Sequence, residues 1–162
     1  MDDACDLFDC SYLVFMAQNN ISTIKHLAKI IKGIEKEVKP QVKLRKEFVM
    51  LTTIPGIGLI LGLTIMLEVG DIGRFFKVGN YSSYCRCVGS KRVSNGKKKG
   101  ENNKKNGNKY LAWAYVEAAH FAIRHMPKAQ RFYQQKMSKS NGAVATKALA
   151  NKLARASYFV MR

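Results

Sequence analysis

The sequence contains little proline and no long apolar run, and both absences limit what the protein can be. Only 3 prolines occur in 162 residues, which argues against a long proline-rich linker. The longest apolar run, residues 59–67, is about half of the roughly 20 residues that a membrane helix needs. The first residues are acidic, whereas a secretory signal peptide begins with basic ones. We therefore expect a cytoplasmic protein without a membrane segment.

Potential metal ligands are also few and badly spaced. The four cysteines are Cys5, Cys10, Cys85 and Cys87, and neither pair has the two-residue gap of a zinc knuckle. Small reduced thiols are the expectation. His120 and His125 are five residues apart, which does not place them together on one helix face. The carboxylates Glu68, Asp71 and Glu117 are too scattered to predict a metal site, so none is assigned.

Acidic residues are scarce relative to basic ones. Eleven Asp and Glu stand against 28 Lys and Arg, giving a net charge of +17. So many positive charges repel one another in a compact fold, and a protein that carries them usually has an anionic partner. Nucleic acid and an acidic membrane surface are the two candidates.

The hydrophobic pattern predicts a mainly α protein. Ile24, Leu27, Ile31 and Ile34 recur at steps of three and four residues, as in an amphipathic helix. We expect a helical arm or coiled coil over residues 20–50, starting at Asn20 or Ser22 and interrupted at Pro40. Residues 1–19 are interpreted as the remnant of a preceding region, and residues 51–162 as a compact helical domain. The arm also predicts a homo-oligomer.

A short turn, Ile54-Pro-Gly-Ile-Gly58, joins two apolar segments. Such a turn is typical of helix–hairpin–helix DNA-binding motifs. Glycines have no Cβ, so a phosphate can approach backbone N–H groups at Gly56 and Gly58, at the start of the next helix. The alternative is a tight connection between two helices.

Basic residues are concentrated between residues 86 and 109. Four glycines and the asparagines at 95, 102, 103 and 106 interrupt this segment, which predicts a flexible basic loop without helix or strand. Its spacing does not match a phosphate-binding P-loop. We expect its cations to contact nucleic-acid phosphates: Arg86, Lys91, Arg92, Lys97, Lys98, Lys99, Lys104, Lys105 and Lys109.

A serine within this segment is a candidate nucleophile. Surrounding cations would stabilise the negative charge that develops when a hydroxyl attacks a DNA phosphodiester. Ser94, followed by Asn95-Gly96, is the first candidate and Ser90 is the second. The alternative is an ordinary loop serine among phosphate-binding lysines.

Several short motifs follow one another in the order found in one family of enzymes. They are Ile54–Gly58, Glu68–Phe75, Tyr84–Cys87, Ser94–Gly100, Lys105–Trp113 and Val116–Ala119, and the closing segment 147–156 also fits. Together the motifs resemble the C-terminal domain of insertion-sequence family one-ten transposases, in the branch numbered one-one-one-one, over about residues 48–162.

The resemblance implies a recombinase that is guided by a structured bridge RNA. In that family a RuvC-like domain holds magnesium through acidic residues, and the C-terminal domain supplies a serine that matches Ser94. The family pattern reads Ser-Gly-Gly, whereas Ser94-Asn95-Gly96 stands here. The acidic domain is missing before residue 20, so we expect a truncated chain that binds DNA, needs no cofactor itself, and does not complete strand exchange alone.

Overall fold

The computed structural model describes residues 10–42, 45–89, 91–101 and 106–162. The chain divides into two compact units, Met1–Lys43 and Leu44–Arg162. Helices dominate both units, which confirms the predicted mainly α class. Within the described ranges, no helix combines the length and the apolarity required to cross a bilayer.

The described part of the first unit is one long helix. Helix α1 spans Ser11–Val42, so the predicted start at Asn20 or Ser22 is wrong. The polar side chains there bond to the helix itself: Asn19 Nδ2 donates to Phe15 O at 3.1 Å, and Thr23 Oγ1 donates to Asn19 O at 2.9 Å. Asn20 and Ser22 lie inside this helix, so neither caps its start. Pro40 lies in the last turn of α1, and its missing N–H removes one of the final backbone hydrogen bonds of the helix.

The apolar stripe of α1 is present and exposed in this chain. Ile24 is 65% exposed and Ile34 is 59% exposed, and Leu27 and Ile31 are similar. An i,i+4 ion pair joins Lys39 Nζ to Glu35 Oε2 at 3.1 Å. Because a single helix cannot bury its own stripe, this surface agrees with an arm that packs on another helix.

The described part of the second unit packs six α-helices around a hydrophobic core. In chain order they are α2 (Lys46–Thr52), α3 (Leu59–Val69), α4 (Val78–Tyr84), α5 (Lys109–His125), α6 (Pro127–Met137) and α7 (Gly142–Met161), with a short 3-10 helix at Ile72–Arg74 between α3 and α4. Helix α5 packs on α3, α6 and α7, and α7 also contacts α2 and α4. The core therefore lies between α5 and α7.

The facing sides of α5 and α7 are rich in alanine, which allows close approach. Leu111, Tyr115 and Ala118 of α5 are fully buried, and Leu149 and Leu153 of α7 are buried as well. Val144 and Phe159 of α7 are instead 52% and 65% exposed. They lie outside the stripe that the buried residues of α7 form at steps of three and four.

Tyrosine hydroxyls satisfy one another inside the core. Tyr81 and Tyr115 share a hydrogen bond of 2.6 Å between their hydroxyls. Tyr158 OH donates to the carbonyl oxygen of Phe75 at 3.0 Å. Burial raises the pKa of both Tyr81 and Tyr115, so these phenols stay neutral and hold α4, α5 and α7 together.

Two cysteines of the core are predicted to be unreactive. Cys85 and Cys87 are buried, and burial raises the pKa of Cys87 to about 12 and also raises the pKa of Cys85. Since the thiolate is the nucleophile, we expect slow alkylation of both in the native protein and fast alkylation of exposed Cys10. Peptide mapping after brief iodoacetamide treatment measures this, with denatured protein as the control. Rapid native alkylation of Cys87 would contradict the burial.

The largest difference from the sequence-based prediction lies in the basic segment. Residues 91–101 form an antiparallel β-hairpin, with β1 at Lys91–Ser94 and β2 at Lys97–Glu101, so the prediction of a loop without strand is wrong there. Asn95 and Gly96 both have positive φ, 51° and 70°, as a two-residue hairpin turn requires. Asn-Gly between two short strands is the signal that the sequence analysis missed.

Candidate nucleic-acid interface and serine site

Ser94 lies at the tip of the basic hairpin (residues 91–101). It pairs directly with Lys97 across the two-residue turn, and both side chains are exposed. Directly paired residues of an antiparallel ladder share a face, with Cβ atoms about 5 Å apart. The hairpin therefore places one hydroxyl beside one ammonium group in solvent.

The register of the hairpin changes beyond this first pair. Val93 pairs with Lys98, but Arg92 pairs with Gly100, so Lys99 is an additional residue in β2. An additional residue bends a strand and increases its twist. The bulge therefore bends β2 at Lys99, and the side chain of Lys99 is exposed.

The two ends of the hairpin segment are held together at a neck (Tyr84, Arg86, Gly107 and Asn108). Arg86 donates from Nε and Nη2 to the carbonyl oxygen of Gly107, at 3.0 and 2.8 Å. The Asn108 N–H donates to Tyr84 O at 2.7 Å. Gly107 has a φ of 96°, and a Cβ there would overlap Tyr84 O. Glycine is therefore required at the point where the chain returns.

A cluster of polar side chains lies next to the neck and bonds to it. Asn108 Nδ2 donates to Glu68 Oε2, and Asn108 Oδ1 accepts from the N–H groups of Tyr110 and Leu111 at the start of α5. The Arg74 guanidinium lies 4.8 Å from the centre of the Tyr84 ring. A hydrogen bond from Arg74, followed by one from Asn108, lowers the pKa of Tyr84. The cluster links α3, α4 and α5 at one place.

The neck and its cluster contain residues to which the sequence reasoning gave no such role. Glu68 was considered only as a scattered carboxylate, and Arg74, Tyr84 and Asn108 only as parts of motifs. Their partners lie far apart in the sequence, such as the 40 residues between Glu68 and Asn108. When two paired side chains are so far apart in the sequence, no short motif in the sequence indicates the pairing.

The predicted phosphate-binding lysines and arginines fall into four groups. Lys97, Lys99 and Lys109 are exposed, whereas the guanidinium of Arg86 bonds to Gly107 in the neck. Three further residues are described only by their place in the strands of the hairpin: Lys91, Arg92 and Lys98. Lys104, Lys105 and the second serine candidate, Ser90, lie outside the described residues.

The turn at Gly56 has a different environment from the hairpin. The Ile57 N–H donates to Ile54 O at 3.0 Å, and Gly56 has a φ of 86°, as expected for a turn with proline then glycine at its centre. A Cβ on Gly56 would overlap Ala118 O and lie 2.9 Å from Ala122 N. Because Gly56 has no side chain, the turn can pack closely against the backbone of α5. This contact lies about 14 Å along α5 from Lys109.

Alanine substitutions at the two turn glycines should therefore differ in effect. We expect Gly56→Ala to lower the free energy of unfolding by at least about 2 kcal/mol, from positive φ and overlap with α5. Gly58 has a φ of −88° and open space around its Cα, so Gly58→Ala should cost less than about 1 kcal/mol. Urea denaturation of both variants measures the difference, and equal midpoints would contradict it.

A comparison with known families covers the region just described. Residues 49–134 match the model of the Transposase IS116/IS110/IS902 family, from within α2 to within α6. The match includes the turn at Gly56, the neck and the basic hairpin, and it spans more than half of the 162 residues. No curated protein matches the sequence. The chain belongs to the IS116/IS110/IS902 family of transposases.

Proposed function

We propose that the second unit is the DNA-binding, serine-bearing domain of a DNA transposase, in the one-one-one-one branch of its family. The observation that carries the proposal is the pairing of exposed Ser94 with exposed Lys97 at the tip of the basic hairpin. The neck holds both ends of the segment, so the tip projects from a fixed base. The family supplies the reaction class, transposition, and the hairpin supplies a nucleophile and cations for it.

The proposed step is attack by the Ser94 hydroxyl on a DNA phosphodiester. An Oγ–P bond forms, the P–O bond to the leaving sugar oxygen breaks, and the serine proton is released while the leaving oxygen takes one up. The step conserves the number of phosphoester bonds and needs no oxidant or reductant. Lys97, directly across the turn, stabilises the charge that builds on the phosphoryl oxygens.

DNA phosphates are the expected ligand of the remaining cations. The net charge of +17 favours a polyanion, and lysines contact phosphates without reading base sequence. A structured bridge RNA is a second polyanionic partner that the family resemblance implies. The family resemblance implies that magnesium would be held by the RuvC-like domain.

Two other functions remain as alternatives. One is a nucleic-acid-binding module without catalysis, in which Ser94 has no chemical role. The other is a basic scaffold, which the exposed apolar stripe of α1 favours since it suits a homo-oligomer. The binding experiment below separates the scaffold from the first two functions, and the serine substitution treated in the Discussion separates catalysis from simple binding.

Removing two hairpin lysines tests the binding part of the proposal. We expect Lys97→Ala combined with Lys99→Ala to weaken binding to any duplex sequence and to reduce the slope of log affinity against log salt by about two, one for each lost phosphate contact. Fluorescence anisotropy with a labelled duplex measures both quantities.

The matched control removes two exposed lysines of α1, Lys25 and Lys29. This variant has the same net charge as the hairpin variant, so it should retain the wild-type slope if phosphates bind at the hairpin. An unchanged slope in the hairpin variant, or equal losses in both variants, would show that the hairpin is not the binding site.

A further inference from the structure

Helix α5 has a second face that the proposed chemistry does not use. One side of the helix is buried against α3 and α7. The opposite side carries larger residues that recur every three or four positions: Tyr110, Trp113, Glu117, Phe121 and Arg124. This spacing places them in one stripe along the outside of the helix.

Three of these residues form an exposed aromatic face (Tyr110, Trp113 and Phe121). They are 52%, 49% and 41% exposed. Single exposed apolar residues are common on protein surfaces, but several on one helix face mark a site of interaction. The three positions span about 16 Å along the helix axis, which is enough for several nucleotides.

Cations accompany the aromatic rings. Lys109 Nζ lies 4.9 Å from the centre of the Tyr110 ring, and Arg124 Cζ lies 5.4 Å from the centre of the Phe121 ring. Glu117 is the only acidic residue of α5. Aromatic rings among cations are complementary to a ligand with flat faces and a negative backbone.

The aromatic face also begins at the neck of the basic hairpin. Asn108 belongs to the neck and accepts hydrogen bonds from the N–H groups of Tyr110 and Leu111, which fixes the first turn of α5. A strand whose phosphates bind at the neck would therefore continue along α5. In duplex DNA the base faces are stacked and paired, so only unpaired bases can use these rings.

We propose that the aromatic face of α5 stacks the unpaired bases of single-stranded nucleic acid. The inference rests on the proposed nucleic-acid function and adds a distinct site and ligand to it. Trp113 contributes the largest ring, Tyr110 and Phe121 extend the platform, and Lys109 and Arg124 bind the adjoining phosphates. The same stacking suits single-stranded DNA and single-stranded RNA, since both present unpaired bases.

Trp113 provides a direct test because it is the only tryptophan of the chain. Titration with an oligothymidylate should quench its fluorescence, whereas an abasic oligonucleotide of equal length and a fully paired duplex should bind with little quenching. Oligouridylate in a parallel titration shows whether RNA is stacked as well as DNA. Equal quenching by the abasic strand would overturn the proposal, because a backbone without bases cannot stack.

Substitutions test the same face through affinity. Trp113→Leu and Tyr110→Leu should each weaken binding of the oligothymidylate about tenfold. Neither should change duplex affinity or the salt slope, because the phosphate contacts remain. The control is Phe76→Leu, which removes an exposed ring that has Lys77 nearby but lies outside α5.

The outcomes separate this inference from the proposed function. Unchanged single-strand affinity in both α5 variants, or an equal loss for single strand and duplex, overturns the stacking site. Loss of self-association in sedimentation instead of loss of binding would assign the face to a protein interface and also overturn it. If duplex binding still depends on Lys97 and Lys99, the proposed function stands in either case.

Discussion

Replacing Ser94 with alanine is expected to abolish a covalent protein–DNA adduct while leaving DNA affinity unchanged. Alanine removes the hydroxyl that is proposed to attack phosphorus, and Ser94 is exposed at the hairpin tip, so the fold should tolerate the change. An oligonucleotide carrying a p-nitrophenyl phosphodiester, incubated with magnesium, releases a coloured phenolate when the adduct forms. Intact-protein mass spectrometry then measures the adduct itself.

Two other serines serve as controls for this substitution. Ser90→Ala tests the neighbouring candidate, and Ser22→Ala removes an exposed hydroxyl from α1. Both variants should retain the adduct if Ser94 is the nucleophile. An adduct that persists in Ser94→Ala and disappears in Ser90→Ala would transfer the role to Ser90. Absence of any adduct in the wild-type protein, with binding intact, would favour the non-catalytic module.

Binding to duplex DNA should weaken about a thousandfold when salt rises from about 50 to about 200 mM, if roughly six cations reach phosphates. Each phosphate contact releases condensed counterions, and added salt opposes that release. The basic hairpin and its flanks contain enough lysines for six contacts, and the net charge of +17 agrees with such an effect. Anisotropy titrations at several salt concentrations measure the slope.

The same titrations distinguish the binding functions from the scaffold. A shallow dependence on salt would contradict phosphate binding by the hairpin and favour a protein that acts through the apolar stripe of α1. Sequence preference should be weak in either case, since a lysine contacts the backbone and carries no information about bases. Duplexes of different sequence should therefore give similar slopes.

The helical elements could be predicted because their signals are local. The three- and four-residue spacing of the apolar residues between Ile24 and Ile34 identified α1 as a helix. The errors were also local. Asn20 and Ser22 lie inside α1 instead of at its start, and Asn95-Gly96 forms a hairpin turn where a loop was expected.

The functional site was predicted only in part. The basic residues and Ser94 could be selected from composition and from the resemblance to a family, and Ser94 is exposed as that role requires. The neck could not be predicted. Arg86 looked like a phosphate ligand because nothing beside it in the chain indicates the carbonyl of Gly107, 21 residues away.

The sequence by itself determined the charge, the helical class and the family, since each depends on composition or on motifs read along the chain. Tertiary structure decided what individual residues do. It placed Gly56 against Ala118 of α5, joined Arg86 to Gly107, and left the aromatic face of α5 exposed. The physical reason is that these roles depend on atoms brought together by packing between residues that are distant in the chain.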